Sequence, residues 1–386
     1  MSREILIEKL AYGGMGLGYL DGKVCFVEGA LPGEHVTIRV TKKKKNYAQA
    51  MIEKVLESSP QRLEPPCPYL HACGGCQYQH VAYAEELRWK EIQVRELFAT
   101  RLKIPGEYIQ PIRGSAEPYG YRQSVTLHRK PGQPDIMGFI GQDNQTIVPV
   151  AKCLLTDPRL DPVYQTKNTV WDGPTRMTFR LDAEGRVHAD KDAAEFSVAI
   201  GGRTIATDSR SFFQTNLEMT AAIAAQVKIW TQTFAPDIFL DLFAGAGIFA
   251  LLAGPDNGKL ICIEENPAGV ACLRKNMGAD GRVSEVLQGK VEHILPGVLE
   301  KTGGGRLMAF LDPPRQGLEP ALASFLAGQN RIEQLVYLSC HLGSLVRDLG
   351  EILGKGPYQL EMVIPYDMFP RTKHIEILCL LKRKKI

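Results

Sequence analysis

The feature that most constrains the fold is an alternation of apolar strands with helix-like segments, which begins near residue 206. Apolar runs such as IFLDLF, KLICIEEN, LMAFLDPP and QLVYLSC are each followed by a stretch with helical spacing. This alternation predicts a parallel, doubly wound sheet of the Rossmann-like α/β type. The last two apolar runs, YQLEMVIPYD and HIEILCLL, lie close together and suggest an antiparallel hairpin at the sheet edge.

A glycine-rich loop, DLFAGAGIFAL, joins the first of these strands to a helix. Gly245 and Gly247 allow a tight turn and a close approach of the backbone to a ligand. A dinucleotide loop requires G-x-G-x-x-G, and Ala250 is tolerated at the third position, so the loop alone also fits a dinucleotide or a simple packing turn. Glu264, at the end of the next strand, can accept hydrogen bonds from ribose hydroxyls in either ligand.

Asp312 follows another apolar strand, in the sequence Asp312-Pro-Pro-Arg315. In open α/β folds, ligands bind at the carboxyl ends of the strands. Two prolines remove two N–H donors and stiffen the loop, so we expect the carboxylate to be held where a ligand can meet it. A rigid turn without a ligand is the alternative.

Cys340 ends one strand and precedes the helical pattern HLGSLVRDL. A thiol at a helix N-terminus is expected to have a lowered pKa and to be reactive, whereas the alternative is a buried core cysteine. Glu376 lies in an apolar strand, so it is either on an exposed face or a functional base with a raised pKa.

This thiol and carboxylate together suit methylation at C5 of uracil, which is a poor nucleophile. A thiolate that adds to C6 creates an enolate, and C5 can then attack a sulfonium methyl group. A base must afterwards remove the C5 proton so that the thiol can leave.

The N-terminal residues 1–57 have the pattern of a small β-barrel of the OB type. Short alternating runs, including ILIEKL and EHVTIRV, are separated by glycine-rich or Pro-Gly turns. Such barrels commonly bind nucleic acid, although a generic barrel fits equally well. The run Lys42–Lys45 suits either phosphate contact or a solvated loop. Residues 81–101 have helical spacing, and residues 105–205 read as mixed β structure.

The chain has nine cysteines, an odd number that favours metal binding or catalysis over a disulfide framework. Cys67, Cys73 and Cys76 have the spacing C-x5-C-x2-C, and Cys153 lies 77 residues after Cys76. Four thiolates can hold a 4Fe–4S cluster or a tetrahedral zinc ion. One close C-x2-C pair with a remote fourth cysteine favours iron–sulfur.

The composition points to a cytoplasmic protein. No run of 18 or more apolar residues suggests a membrane span, and the charged start MSREILIEKL lacks the apolar core of a secretion signal. The net charge of +3 does not by itself imply nucleic acid. We expect a monomer that does not associate with membranes.

Over nearly its whole length, the chain resembles the RNA 5-methyluridine methyltransferase family, especially bacterial members that act on 23S ribosomal RNA and carry a TRAM domain. The resemblance lies in the ordered set CPYLHACGGCQYQH, SFFQTN, DLFAGAGIFAL, DPPRQGL, LSC and DMFPRTKHIE. It implies three domains: a TRAM-like barrel (1–57), a central α+β iron–sulfur domain (58–205) and a methyltransferase domain (206–386). It also implies RNA as substrate, with ribosomal RNA favoured over tRNA.

The resemblance implies a role for each matched residue. Cys340 would be the nucleophile and Glu376 the proton-abstracting base. The 4Fe–4S ligands would be Cys67, Cys73, Cys76 and Cys153. Contacts with S-adenosyl-L-methionine would come from Gln214, Phe243, Gly245, Gly247, Glu264 and Asp312.

The chain departs from the family pattern at three places. His341-Leu342 follows the cysteine where Asn-Pro is usual, Ala244 stands where Cys is common, and Arg371 stands where Gln is common. The changed residues beside Cys340 bear on the shape of the uracil pocket. The alternatives are a tRNA uracil methyltransferase, a cytosine-C5 methyltransferase, a non-catalytic RNA-binding protein of the same fold, and a nicotinamide-dependent oxidoreductase.

Overall fold

The structure, a computed structural model, describes residues 3–130, 133–165 and 175–384. Its first five strands form a closed barrel with the order β1-β2-β3-β5-β4. They are β1 (Arg3–Leu10), β2 (Gly16–Leu20), β3 (Lys23–Glu28), β4 (His35–Lys43) and β5 (Tyr47–Glu57). Alternate side chains such as Ile5, Ile7, Val36 and Ile38 fill the interior, as the period of a strand requires. The predicted N-terminal barrel is therefore confirmed.

The central part of the chain combines one long helix with an antiparallel sheet of order β10-β9-β6-β7-β8. Its elements are α1 (Tyr83–Leu97), β6 (Ser124–Lys130), β7 (Gln133–Ile140), β8 (Ile147–Val148), α2 (Pro162–Gln165), β9 (Arg176–Leu181) and β10 (Val187–Ala189). The helix predicted over 81–101 thus corresponds to α1, which continues into a wider helical turn (Phe98–Leu102).

A hairpin leads into the C-terminal part, which is built on a seven-stranded sheet within residues 238–383. The hairpin is β11 (Glu195–Ile200) and β12 (Arg203–Asp208), followed by α3 (Leu217–Phe234) and β13 (Ile238–Leu242). Next come α4 (Ile248–Ala253), β14 (Lys259–Glu264), α5 (Pro267–Asp280), β15 (Ser284–Gln288) and α6 (Val291–Lys301). The remaining elements are β16 (Leu307–Leu311), α7 (Pro320–Ala327), β17 (Ile332–Ser339), α8 (Leu342–Lys355), β18 (Tyr358–Tyr366) and β19 (Glu376–Arg383).

The sheet has the order β15-β14-β13-β16-β17-β19-β18. Strands β13 to β17 pair in parallel, while β19 runs antiparallel to both β17 and β18. Neighbouring residues of one strand face opposite hydrophobic layers: Phe239 packs against the layer with α3 and α4, and Leu240 against the layer with α7 and α8. The predicted doubly wound sheet and its antiparallel edge hairpin are both confirmed.

The hairpin β11–β12 packs its apolar side chains, including Phe196, Val198 and Ile205, into the same layer as α3. It therefore shares a core with the large sheet rather than with the central sheet.

Helix α1 joins the central part to the C-terminal sheet through buried charges. The Lys90 ammonium contacts Asp367 at 2.6 Å and Glu86 at 2.7 Å. Beyond α1, the backbone follows the outer edge of β18, where the amide of Gln110 donates to Val363 at 2.8 Å. The contact between Lys90 and Asp367 holds the start of the segment 367–375, which leads directly into Glu376.

Within the described ranges, no helix combines the length and apolar character needed to cross a membrane.

Candidate active site

The carboxyl ends of β13, β14, β16 and β17 open into one cavity of about 620 Å³. Because β19 runs in the opposite direction, its first residue lies at the same sheet edge as the last residues of the parallel strands. The cavity therefore collects the predicted residues Gln214, Phe243, Gly245, Glu264, Asp312, Cys340 and Glu376. Gly247, by contrast, caps the N-terminus of α4 and is not among the lining residues.

The glycine-rich loop has a left-handed backbone at three alternate positions, Phe243 (φ 69°), Gly245 (φ 55°) and Gly247 (φ 88°). A side chain at Gly247 would place its Cβ 2.6 Å from Leu273, so this glycine is required for packing against α5. Phe243 holds a conformation that is costly for a residue with a side chain. Such strain is typical of a loop shaped for a ligand.

The Glu264 carboxylate is fixed at the end of β14 by backbone amides. Gly245 N donates to Oε2 at 2.8 Å and Asn266 N donates to Oε1 at 2.7 Å. Below the loop, the fully buried Asp241 accepts the amide of Ala250 at 2.9 Å. Burial raises the pKa of Asp241 to about 7. Its hydrogen bond to Ala250 supports the loop from the buried side.

Asp312 and Gln214 form a pair across the cavity, since Gln214 Nε2 donates to Asp312 Oδ2 at 3.0 Å. Burial raises the pKa of Asp312 to about 7, and the hydrogen bond from Gln214 opposes the shift. A carboxyl group with a raised pKa is suited to accept and release protons.

Cys340 lies at the cavity, but its predicted low pKa is wrong. Burial raises the pKa of this thiol to about 12, and Glu376 and Asp312 raise it further, while Arg315 lowers it. Helix α8 begins at Leu342, and its N-cap is His341, whose Nδ1 accepts the amide of Ser344 at 3.2 Å. The helix dipole is thus outweighed by burial and by carboxylates from other strands.

Glu376 is buried at the start of β19, with 5% of its surface exposed. Burial raises its pKa well above the usual value, and Asp312 adds to the shift. The interpretation as an exposed face is therefore wrong, and the raised pKa is confirmed, while the role of Glu376 as a base stays a prediction.

Two further residues at the cavity were not predicted. Arg315 donates to Nδ1 of His374 at 3.3 Å, which connects the Asp312 loop to the loop before Glu376. Phe212 lines the cavity with 72% of its surface exposed. The position of Phe212 two residues before Gln214 in SFFQTN was a usable signal.

The four remaining predicted residues lie in the central part. Cys67, Cys73 and Cys76 are in the segment between β5 and α1, and Cys153 follows β8. Within the described residues, no group of three or more His, Cys, Asp or Glu side chains is arranged to hold a metal ion. The predicted metal cluster is therefore not confirmed.

The thiols nevertheless interact electrostatically. Cys153 raises the pKa of each of the other three, after the larger effect of burial, which brings Cys76 to about 12. Two sulfurs receive N–H donors: Gly75 N reaches Cys73 Sγ at 3.4 Å, and Gln79 Nε2 reaches Cys76 Sγ at 3.1 Å. The Arg122 guanidinium opposes the shifts of Cys73 and Cys76.

Two sequence profiles match parts of the chain. The TRAM domain profile matches residues 2–52, which correspond to most of the barrel. The tRNA (uracil-5-)-methyltransferase profile matches residues 306–384, which contain Asp312, Cys340 and Glu376.

Full-length relatives carry similar descriptions. A protein of Bdellovibrio bacteriovorus described as an RNA methyltransferase is 31% identical over 97% of this chain and 94% of its own length. A 23S rRNA (uracil(1939)-C(5))-methyltransferase of Marinomonas is 25% identical over 98% of this chain and 94% of its own. The crystal structure of a Pyrococcus abyssi tRNA (uracil-54, C5)-methyltransferase, in complex with S-adenosyl-L-homocysteine, has the same fold, with a TM-score of 0.72 and 21% identity over 99% of this chain and all of that one.

Proposed function

The chain belongs to the family of S-adenosylmethionine-dependent RNA (uracil-C5)-methyltransferases, and from that premise we propose that it methylates a uridine of 23S ribosomal RNA through a covalent Cys340–C6 adduct. One observation carries this proposal: a single cavity brings the Cys340 thiol together with the Glu376 and Asp312 carboxyl groups beside the glycine-rich loop.

The cofactor half of the cavity is the side formed by the glycine-rich loop and the end of β14. S-adenosylmethionine supplies a methyl group on a positively charged sulfur. Glu264 would bind the ribose hydroxyls, since its carboxylate is already fixed by two amides at the strand end. Phe243 and Gly245 would contact the adenosine part, with Gly247 keeping the loop against α5. Gln214 and Asp312 would hold the reacting end.

The first chemical step belongs to Cys340. Its proton passes to a neighbouring carboxylate, for which Asp312 is suited because its pKa is about 7. The sulfur then adds to C6 of the uracil, and the C5–C6 electron pair moves toward O4. C5 of this enolate takes the methyl group as the bond between the methyl carbon and the sulfonium breaks.

The second step belongs to Glu376. It removes the proton from C5, the C5–C6 double bond re-forms and the C6–S bond breaks, so that Cys340 leaves as a thiolate and takes its proton back from Asp312. A buried carboxylate with a raised pKa is a stronger base than an exposed one, which suits this task. Without Glu376 the methylated adduct has no route to product.

The raised pKa values of the cavity acids also suggest an order of binding. Cys340, Asp312 and Glu376 are buried together, and each anion disfavours the others. A sulfonium cation beside them lowers all three pKa values. The thiolate should therefore form after the methyl donor is bound.

RNA contact is supported by the barrel and its charge. Arg3, Arg39, Lys42 and Lys43 line a groove of about 490 Å³ on the barrel, together with Glu53. The target base must leave its stack to reach Cys340, so the flanking backbone has to be held. The full-length Marinomonas relative supports 23S rRNA as the substrate, whereas tRNA is the second candidate, supported by the matching tRNA (uracil-5-)-methyltransferase profile.

Replacing Lys42–Lys45 by alanine should weaken RNA binding by about tenfold or more and reduce its salt dependence, because phosphate contacts release counterions. Fluorescence anisotropy at several salt concentrations measures both. A variant with alanine at two exposed lysines elsewhere, Lys301 and Lys355, serves as the control. Unchanged binding in the Lys42–Lys45 variant would contradict a role for this run.

We also propose that Cys67, Cys73, Cys76 and Cys153 hold a 4Fe–4S cluster. Four neighbouring thiols fit the donor set of such a cluster. N–H groups directed at two sulfurs and the nearby Arg122 favour the thiolate form that the ligands must adopt. The cluster would connect β7 and β8 to the segment before α1.

The domain division into 1–57, 58–205 and 206–386 is likewise a proposal. The shared core of β11–β12 with α3 favours a boundary near residue 194 for the methyltransferase domain. We propose that the chain acts as a monomer in the cytoplasm.

Methyl transfer to separate RNA pools tests the function. We incubate the purified protein with labelled S-adenosylmethionine and one RNA at a time: unmodified 23S rRNA, tRNA or poly(C). The nucleosides of each RNA are then analysed by mass spectrometry. We expect 5-methyluridine in 23S rRNA. Label in tRNA would instead favour the second candidate, and 5-methylcytidine or no label would overturn the proposal.

A further inference from the structure

The turn 369–374 lies just before β19 and is closed by its own hydrogen bonds. The Thr372 hydroxyl donates to the Phe369 carbonyl at 2.8 Å and accepts the amide of His374 at 3.2 Å. Arg371, at the centre of the turn, has a left-handed backbone with φ 67°. Such a conformation is costly for a residue with a side chain and persists only where surrounding contacts hold it. The turn therefore needs support from other segments.

That support comes from the central part of the chain. The amides of Gln77 and Tyr78 both donate to the Arg371 carbonyl, at 2.9 and 3.1 Å. The Arg371 amide in turn donates to Glu86 Oε1, the carboxylate oxygen of a residue on α1, at 2.8 Å. The left-handed residue is thus held through both its carbonyl and its amide.

Gln77 reaches the turn through its side chain as well as its backbone. Its Oε1 accepts the amide of Lys373 at 2.9 Å, across a sequence separation of 296 residues. Its Nε2 donates to the Gly74 carbonyl at 3.0 Å, so the amide group is fixed at both ends. The bond to Lys373 lies three residues before Glu376.

The turn bears on how Glu376 enters the cavity. Glu376 is the first residue of β19 and pairs with Tyr366, the last residue of β18. The ends of paired strands open more easily than their centres. The hydrogen bond between Lys373 and Gln77 holds the chain on the other side of Glu376, and Phe369, at the start of the turn, also lines the cavity.

Resting on the proposed function, we propose that Gln77 is a positioning residue, which holds the turn 369–374 so that the Glu376 carboxylate faces the C5 hydrogen of the methylated adduct. Misplacement of a reacting group by about 1 Å can cost about a hundredfold in rate. Cys340 follows β17 and is carried by a different strand of the sheet. Gln77 therefore acts on proton removal rather than on formation of the adduct.

Single-turnover methylation tests this proposal, with the full-length protein, S-adenosylmethionine and unmodified 23S rRNA, or tRNA if the wild type labels that pool. Gln77→Ala should release 5-methyluridine about tenfold more slowly than the wild type, while the adduct forms at nearly the wild-type rate. A methylated protein–RNA adduct at Cys340 should therefore accumulate and survive denaturing separation. Affinity for S-adenosylmethionine and Tm should change little.

Two variants separate this hydrogen bond from other effects. Gln77→Glu keeps an oxygen for the Lys373 amide but cannot donate to Gly74, so it should release product within about twofold of the wild type. Gln142→Ala removes a different glutamine contact with the segment between β5 and α1, the bond from Nε2 to the Leu70 carbonyl at 3.1 Å. This control should not accumulate the adduct.

The same bond can be removed from the side of the turn. Lys373→Pro has no N–H to donate, whereas Lys373→Ala keeps it. We expect the adduct to accumulate with proline only. Adding Gln77→Ala to Lys373→Pro should cause no further loss, because both changes break one hydrogen bond. This pair also provides the test if Gln77→Ala does not fold.

The outcomes separate this inference from the function on which it rests. An inactive wild type would overturn both. An active wild type, with product released from Gln77→Ala as fast as from the wild type, would overturn the positioning role alone. Equal slowing of adduct formation and product release, or equal behaviour of Lys373→Pro and Lys373→Ala, would also overturn it.

Discussion

The molecule contains two groups of thiols in different surroundings, the active-site Cys340 and the four cysteines of the central part. Burial raises the thiol pKa at Cys340 and at Cys67, Cys73 and Cys76. Around Cys340 the neighbours are mainly acids, Glu376 and Asp312. In the central group the neighbours are other thiols, N–H donors and Arg122. Burial is common to both, so the neighbouring groups are what distinguish the proposed nucleophile from the proposed metal ligands.

The largest expected difference is in catalysis. Cys340→Ala should reduce methylation by about a thousandfold or more, because the nucleophile is lost, while binding of S-adenosylmethionine is retained. Cys272→Ala, a buried cysteine on α5, should retain activity. Transfer of radiolabel to RNA measures the activity of both variants. Substantial activity in Cys340→Ala would show that Cys340 does not differ from the central cysteines in being the nucleophile.

The second expected difference is in metal content. Cys153→Ser should lose most of the iron and sulfide, with a clear drop in Tm, because one cluster ligand is missing. Cys340→Ala should keep the full metal content. Iron analysis and visible absorbance of anaerobically purified protein decide this. Equal iron in wild type and Cys153→Ser, or zinc in place of iron, would contradict the iron–sulfur assignment.

A smaller difference concerns the pH dependence of thiol reactivity. A pKa of about 12 leaves the Cys340 thiol protonated at neutral pH, so without ligands it should react with iodoacetamide at least about tenfold more slowly than an ordinary cysteine. Because this pKa lies above the tested range, the thiolate fraction and the alkylation rate should rise steadily from pH 7 to pH 9.

Replacing Asp312 by Asn removes one of the carboxylates that raise this pKa, so alkylation of Cys340 should become faster. Peptide mass spectrometry assigns the label to Cys340. A fast rate that levels off below pH 8 in the wild type would show that the thiol is already activated in the free enzyme.

Periodicity and local patterns predicted much of the architecture. The alternation after residue 206 predicted the parallel sheet, and strand ends are sufficient to place Asp312 and Cys340 at one edge. Glu376 could be placed at this edge only because β19 runs antiparallel to its neighbours. The short sequence separation of the last two strands suggested that direction.

The errors and omissions arise where distant segments meet. The reactivity of Cys340 was inferred from its own helix, but its pKa depends on carboxylates of β19 and of the loop after β16. The hairpin β11–β12 likewise joined the C-terminal core through tertiary packing. No pattern within a single segment records such contacts.

The most direct test of the covalent account is to trap the adduct. Glu376→Gln is incubated with S-adenosylmethionine and 23S rRNA, and the products are separated under denaturing conditions and analysed by mass spectrometry. We predict a protein–RNA adduct at Cys340 that carries the transferred methyl group and is absent from the Cys340→Ala/Glu376→Gln double variant. Free 5-methyluridine formed at the wild-type rate by Glu376→Gln, or an adduct that survives loss of Cys340, would contradict the account.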